Sequence, residues 1–357
     1  MSAAQQLVER IDADLRQRVS VRIGTRVAQA MRASEEVHRA AREPAADPAQ
    51  VWAEVHALRS EVDTLLEECL VLVAGSAQRS MKLDDGFCAL ADALVDELVA
   101  RTPIGHWSSF TVLGRADFYS RASRAIEVRF PAPTIWDLPI VAHELGHFIG
   151  PALTEDVGRR TEHPLDALFE NVGDGTERCW SWLQELAADA CAAYLLGPAY
   201  GFTCVLTGFD PLLALMPSET HPPAQQRVQT VAAVLKHTPE TAWAAQHLLG
   251  LWDGVVTAAG GADGREPLDP SPFTDPLVQM LDACLPVSAY RTWDVADRVA
   301  PRLTERAEAA VAGPRPALAD ILNAAWLARL RSPSLAAADG AGQAALALIQ
   351  KSIAEVP

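Results

Sequence analysis

Residues 138–150 read LPIVAHELGHFIG, and at the centre of the stretch stands HELGH, His143 to His147. Side chains four apart on a helix lie one above the other. A helix here puts His143 and His147 on one face, where they can hold a single ion. Val141, Leu145 and Phe148 fall on the opposite side and can bury. Pro139 suits the first turn, where a missing N–H costs nothing, and Gly150-Pro151 is expected to stop the helix. Gly146 costs about 1 kcal/mol against alanine inside a helix. A residue that weakens its own helix points to another element pressing close.

Two imidazoles favour zinc, which wants a third protein ligand and one open position. Glu144, directly after the first histidine, can take a proton from metal-bound water and pass it to a leaving amine. The third ligand is expected from another helix. The run WSWLQELAADACAAYLL (180–196) offers Glu185 and Asp189, again four apart on one face. Ala187, Ala188, Ala190, Ala192 and Ala193 keep that helix thin enough to pack closely on the HELGH helix. In this reading Glu185 binds the metal, and Asp189 accepts the N–H of a metal-bound histidine and fixes its tautomer. Taken alone, the two carboxylates also fit the solvated face of an amphipathic helix.

A third cluster follows in SETHPPAQQRVQTV (218–231). Ser218 or Thr220 as N-cap, with Pro222-Pro223, opens a helix. His221 at its start feels the positive dipole end, tends toward neutrality and could donate to the oxyanion of a tetrahedral intermediate. Arg227 lies within about two helical turns and could pair with Glu185 or Asp189. A capping histidine and a surface arginine account for the same residues equally well.

These segments sit in a chain of 357 residues with 49% hydrophobic content, ample for a sizeable core. The net charge is −16 and the pI about 5.0. So acidic a surface repels phosphate backbones, which argues against nucleic acid and for cationic peptides. The six cysteines form no CxxC and read as free thiols in a reducing cytosol. The N-terminus has no apolar core of a signal peptide. Cys191 to Phe209 carries no charge, but Gly197-Pro198 breaks it and no basic residues flank it, so buried core helices are expected, not a membrane span.

Three regions follow from the texture of the chain: a helical N-terminal region at 1–102, a core at 103–237 and a helical C-terminal region at 238–357. Helical patterns cover 4–42, 51–74 and 84–101, with EPAADPAQ (43–50) as a linker. In Ile126-Glu127-Val128-Arg129-Phe130 apolar and charged residues alternate, which reads as a strand with one wet face, ended by Pro131 and Pro133. Residues 151–178 read as a polar, acidic loop or insertion with short helices, and His163 within it as a loop histidine. Helical runs are expected at 223–237, 241–258, 275–285, 292–311, 316–331 and 341–355, with GGADGREPLDPSP (260–272) as a surface loop. Tyr194 and Tyr200 could assist transition-state binding; packing in the core or at the rim is the plainer reading.

HELGH (143–147), ELAAD (185–189) and THPPAQQR (220–227), in this order, resemble the gluzincin metallopeptidases. The group they resemble most contains the membrane heat-shock protease and the CAAX prenyl protease, whose pattern is HExxH, then ExxxD, then His-Pro followed by Arg. The resemblance covers roughly 110–235. It implies that His143, His147 and Glu185 bind Zn2+, that Glu144 is the general base, that Asp189 stands behind the ligands, and that His221 and Arg227 line the site. It also implies an edge strand above the cleft that takes up substrate backbone by strand addition, for which 126–130 is the candidate. No clear membrane helices accompany the motifs, unlike in that group.

The fold expected is α+β, mostly α: a zincin-like metallopeptidase core with a small antiparallel sheet before the HELGH helix and flanking helices at both ends. The function expected is a cytoplasmic zinc-dependent endopeptidase acting on a peptide or protein, with neither nucleic acid nor membrane as partner. Two alternatives stand beside it: a catalytically silent or latent zinc-holding protein that recognises peptides, and a hydrolase of small amides or peptide N-termini.

Overall fold

A computed structural model describes residues 3–42, 47–104, 110–114, 118–120, 125–129, 134–157, 160–260, 272–285, 287–305 and 316–354. The chain is mostly helical, with a three-stranded sheet and a two-stranded hairpin. It forms two compact units. One comprises Met1–Ala89 with Ser108–Pro131, the other Leu90–Trp107 with Ala132–Pro357.

In the first unit, helices α1 (Ala3–Ala40) and α2 (Pro48–Ser80) run antiparallel against each other. Asp47 starts α2 by accepting the Ala49 N–H at 3.0 Å, and Pro48 fills the first turn. Leu15, Val19 and Leu72 share a core with Phe110, Val112 and Ala125 of the sheet. The strands are β1 (Phe110–Gly114), β2 (Phe118–Ser120) and β3 (Ala125–Arg129), in the spatial order β1-β3-β2.

The sheet is not the antiparallel one expected. β1 runs parallel to β3, with Phe110 opposite Ala125, and only β2 is antiparallel to β3. The chain reverses between β1 and β2 and again between β2 and β3, so the first and third strands point the same way. Alternation of side chains reports which face is wet and carries no information on strand direction. Of the predicted strand 126–130, Phe130, like Pro131 and Pro133, lies outside the described residues. Ile126 and Val128 are buried and Arg129 exposed, as the alternation requires.

The second unit takes up most of α3 (Phe87–Val99) and then α4 (Ile140–Ala152), the helix carrying HELGH. Gly150-Pro151 does not stop α4. The helix runs through both to Ala152, and Leu153 N–H closes it on Ile149 O at 3.0 Å. The acidic segment that follows forms the hairpin β4 (Glu155–Val157) and β5 (Arg160–Glu162) and then α5 (Pro164–Val172), with His163 directly before it. Helix α6 (Glu177–Leu196) begins where Thr176 Oγ1 accepts the Cys179 N–H at 3.1 Å.

Gly197, at φ 81°, breaks α6 in a conformation that side chains with a Cβ avoid. Beyond it lie the short α7 (Pro198–Thr203) and a π turn at Cys204–Gly208. Helices α8 (Ala224–His237), α9 (Ala242–Ala258), α10 (Thr274–Cys284), α11 (Trp293–Thr304), α12 (Leu318–Arg331) and α13 (Leu335–Ala354) complete the unit. The expected loop over 260–272 lies almost wholly outside the described residues, and so does 306–311 of the expected run 292–311.

The core of this unit lies where α4, α6, α7 and α12 meet. α12 is buried from Leu318 to Ala328. From it, Asn323 donates to Leu196 O at 2.7 Å and accepts the Ala199 N–H at 2.8 Å. One buried amide therefore fixes the break between α6 and α7 and satisfies backbone groups that water cannot reach. All six cysteines are free thiols. Among the described residues, no helix is long and apolar enough to cross a membrane.

Candidate metal centre

Helices α4 and α6 approach closely because small residues face each other at the crossing. A Cβ on Gly146 would stand 2.6 Å from Ala188 O and 2.7 Å from Ala188 Cα. Only glycine admits backbone that near, and the contact answers the expectation that another element presses on this position. The apolar side of α4 is buried through Val141 and Leu145, with Phe148 partly buried. Its other side carries His143 and His147 toward Glu185 of α6.

The three ligand atoms converge. His143 Nε2 lies 3.3 Å from Glu185 Oε2, and His147 Nε2 lies 3.3 Å from Glu185 Oε1. One ligand atom from each of the three residues falls within 4.8 Å of the others. Nitrogen and oxygen ligands about 2.1 Å from a tetrahedral centre stand about 3.4 Å apart; each separation has about that length, although the two end on different oxygens of the carboxylate. Glu185 Oε2 is buried and makes no hydrogen bond. His143 Nε2 and Arg227 Nη2 balance its charge from 3.3 and 3.6 Å, and a cation bonded at this point would supply the direct contact that is missing. The residues present therefore fit a divalent metal, with two imidazoles and one carboxylate as donors. Glu144 is buried on the same helix, between the two histidines in sequence.

Behind the ligands lies a second set of contacts. Asp189, wholly buried, has Oδ1 2.9 Å from His143 Nδ1. The far nitrogen of the imidazole is thereby occupied and Nε2 is turned to the centre, the arrangement that orients metal-binding histidines. Arg227 grips Asp189 with two parallel bonds, Nε to Oδ2 and Nη2 to Oδ1, each 2.7 Å. The same Nη2 lies 3.6 Å from Glu185 Oε2, and the guanidinium stacks 4.8 Å from the Phe209 ring. Of the two partners expected for Arg227, Asp189 is the hydrogen-bonded one.

Tyr200, from α7, completes this layer. Its hydroxyl donates to Asp189 Oδ1 and lies 3.1 Å from His143 Nδ1, while its ring is parallel to the imidazole within 7°. Its sequence position gave only a choice between core packing and a share in catalysis. The structure adds a polar contact to the site through Asp189 and His143. No spacing rule could have found it, because Gly197 resets the helical phase between Asp189 and Tyr200. Tyr194 is directed elsewhere, to Asp282 at 3.1 Å.

His221 stands differently from the expectation. It precedes α8 by three residues and lies in a turn held by Ser218, whose Oγ accepts the His221 N–H at 2.8 Å. Ser218 therefore caps that turn and not the helix, which starts after Pro223 without a side-chain cap, and Thr220 Oγ1 meets the His221 ring instead. Two consecutive prolines keep the intervening backbone extended. The imidazole still reaches the centre: Nδ1 meets Thr220 Oγ1 at 2.8 Å, and Nε2 lies 3.6 Å from Glu185 Oε2. It is the exposed member of the group, with about half of its side chain open to solvent.

Charge is distributed accordingly. Burial works against a charged His143, but the adjoining carboxylates of Asp189 and Glu185 outweigh it and push the imidazole up to about 10. Burial together with the neighbouring charge of His143 lowers His147. Asp189 is held down at about 2 against its burial, chiefly by Arg227. Glu185 is likewise held well below the usual carboxylate range, by the two histidines and Arg227. Both acids are thus ionised, as cation binding requires.

The strand β3, the candidate for strand addition, belongs to the other unit and is flanked by β1 and β2 on its two edges. Ala125–Glu127 are paired on both sides, so those positions are not open to an added strand. The alternation that located the strand says nothing of its lateral neighbours. Comparisons with protein-family models, curated proteins and solved structures gave no match to this chain.

Proposed function

We propose that this protein is a zinc-dependent metallopeptidase of gluzincin type, with a zincin-like core formed around α4 and α6. One observation carries the reading. His143 Nε2 and His147 Nε2 each stand 3.3 Å from a different oxygen of Glu185, the one facing His143 is buried without a hydrogen bond, and a general-base candidate, Glu144, adjoins the first histidine. Zinc, when bound, supplies Lewis acidity toward a carbonyl oxygen and acidifies water. Imidazole and carboxylate donors in this number suit that ion and leave one position open.

The residues divide the work. Glu144 takes a proton from the attacking water on its carboxylate and delivers it to the departing amide nitrogen. His221, half-exposed beside Glu185, donates from Nε2 to the developing oxyanion while Thr220 steadies Nδ1. Asp189, Arg227 and Tyr200 hold His143 in the orientation that keeps Nε2 toward the ion. The acidic surface favours cationic peptides as substrates. Six cysteines without a disulfide suit the cytoplasmic setting of this reading.

The test joins elemental analysis to cleavage of a broad peptide library. One bound zinc per chain and cleavage by the wild type are expected, with Glu144→Gln keeping the metal and losing turnover. Cleavage that survives in Glu144→Gln would remove the mechanism. Zinc without cleavage, once latency is excluded, would transfer the protein to peptide binding alone.

A further inference from the structure

Away from the metal centre, the second unit has a cleft of about 420 Å³ between α9, α11 and α12. Each helix contributes side chains one turn apart: Trp243 and His247 from α9, Trp293 and Asp297 from α11, Leu327 and Arg331 from α12. The volume lies inside the usual range for small-molecule sites, about 300–1,000 Å³. Trp243, Trp293, Leu327 and Leu330 make the lining mostly apolar, and of its three polar residues Asp297 and Arg331 stand together.

The aromatic walls are unusual for a surface. Trp243 is 39% exposed. Its ring centroid is 4.8 Å from that of Trp293, the two planes tilted by 52°. Phe202, buried on α7, backs them at 6.4 Å from Trp243 and 6.0 Å from His247. The two indoles, Trp243 held from behind by Phe202, offer a flat apolar body what a binding hot spot offers: area at small entropic cost. Beside them, Arg331 Nη2 and Asp297 Oδ1 form an exposed ion pair at 3.1 Å.

We propose that this cleft binds a free α-amino acid with an aromatic side chain. The ring lies against Trp243 and Trp293, the ammonium meets Asp297 and the carboxylate meets Arg331. The charges carry the assignment. A ligand with a single charge gains one partner and confronts the other group, whereas an α-amino acid bears both charges on one carbon and matches a neighbouring acid and base together. Exposed ion pairs hold little energy, so exchanging Asp297–Arg331 for two ligand contacts costs little, and the indoles supply the gain. The site requires neither zinc nor catalysis.

Titration of the full-length protein with L-phenylalanine, followed by intrinsic tryptophan fluorescence and by calorimetry, tests this. A saturable change is expected. Phenethylamine and 3-phenylpropionate, each with one charge, should bind about tenfold more weakly, and L-alanine should not bind. Trp243→Ala and Arg331→Gln should each weaken L-phenylalanine about tenfold while far-UV circular dichroism and zinc content stay unchanged. No saturable signal up to about 10 mM, beyond the millimolar end of ordinary affinities, overturns the proposal. So does equal binding of either single-charge analogue, or full affinity in Arg331→Gln.

Discussion

Tyr200 and His143 are coupled through one carboxylate oxygen: the phenol donates to Asp189 Oδ1, the atom that also lies 2.9 Å from His143 Nδ1. With Arg227 Nη2, which donates to the same atom at 2.7 Å, three groups share a single acceptor behind the candidate metal centre. Removing the phenolic hydroxyl leaves the ring stack intact and loosens the imidazole. Tyr200→Phe should fold normally and lose about tenfold in zinc affinity, the lower end for residues that support a ligand. Competition with a calibrated chelator measures it. Unchanged affinity would reduce Tyr200 to packing.

Helix propensity alone favours Ala over Gly by about 1 kcal/mol at an interior position. At Gly146 the sign should invert, because the new methyl meets Ala188 backbone. A loss of about 1–3 kcal/mol is expected, read from the urea midpoint. Gly150→Ala is the control. There a Cβ would have Ala187 Cβ and Leu165 Cδ2 at 3.7 Å, ordinary contact, so stability should hold or rise.

Arg227 neutralises a wholly buried carboxylate. Arg227→Leu leaves Asp189 with only Tyr200 and His143 and should cost up to about 3–5 kcal/mol, the ordinary consequence of breaking a buried pair from one side. Arg227→Leu combined with Asp189→Asn should recover most of that loss in denaturant unfolding. Additive losses would mean that the pair itself contributes little.

Proton linkage gives two opposed slopes. His143 is lifted to about 10 in the metal-free protein from an ordinary 6.5. A group raised on folding stabilises fully below its unfolded value and loses that contribution as pH climbs through its folded one. The chelated protein should therefore lose thermal stability between pH 7 and 10 relative to His143→Gln. Zinc affinity should move the other way. Each ion taken up displaces the proton from His143, so affinity should gain about tenfold per pH unit over the same window. A flat affinity profile would show that His143 enters the site already neutral.

Much of the centre was legible because it depends on helical period. The i, i+4 pairs His143/His147 and Glu185/Asp189 fix two faces, and Gly146 with the alanines of α6 announces a close crossing. What escaped depends on geometry that no period records. Tyr200 arrives after the helix break at Gly197, its approach set by Asn323 from more than a hundred residues away. Alternation along β3 revealed its faces and concealed both its central place and its parallel neighbour. At His221 the paired prolines signalled a helix start, but the side-chain cap belonged to the preceding turn.

The crossing of α4 and α6 has one more consequence. Backbone in contact at Gly146 and Ala188 leaves no slack between the histidine pair and the opposing carboxylate, so the span works as a caliper. Ions bonding at about 2.0–2.2 Å fit its jaws. On the proposed zinc reading, calcium, which needs six to eight oxygens at about 2.3–2.6 Å, would be disfavoured on width as well as on donor type. Discrimination among cations would then be set by two of the smallest residues in the chain, neither of them a proposed ligand.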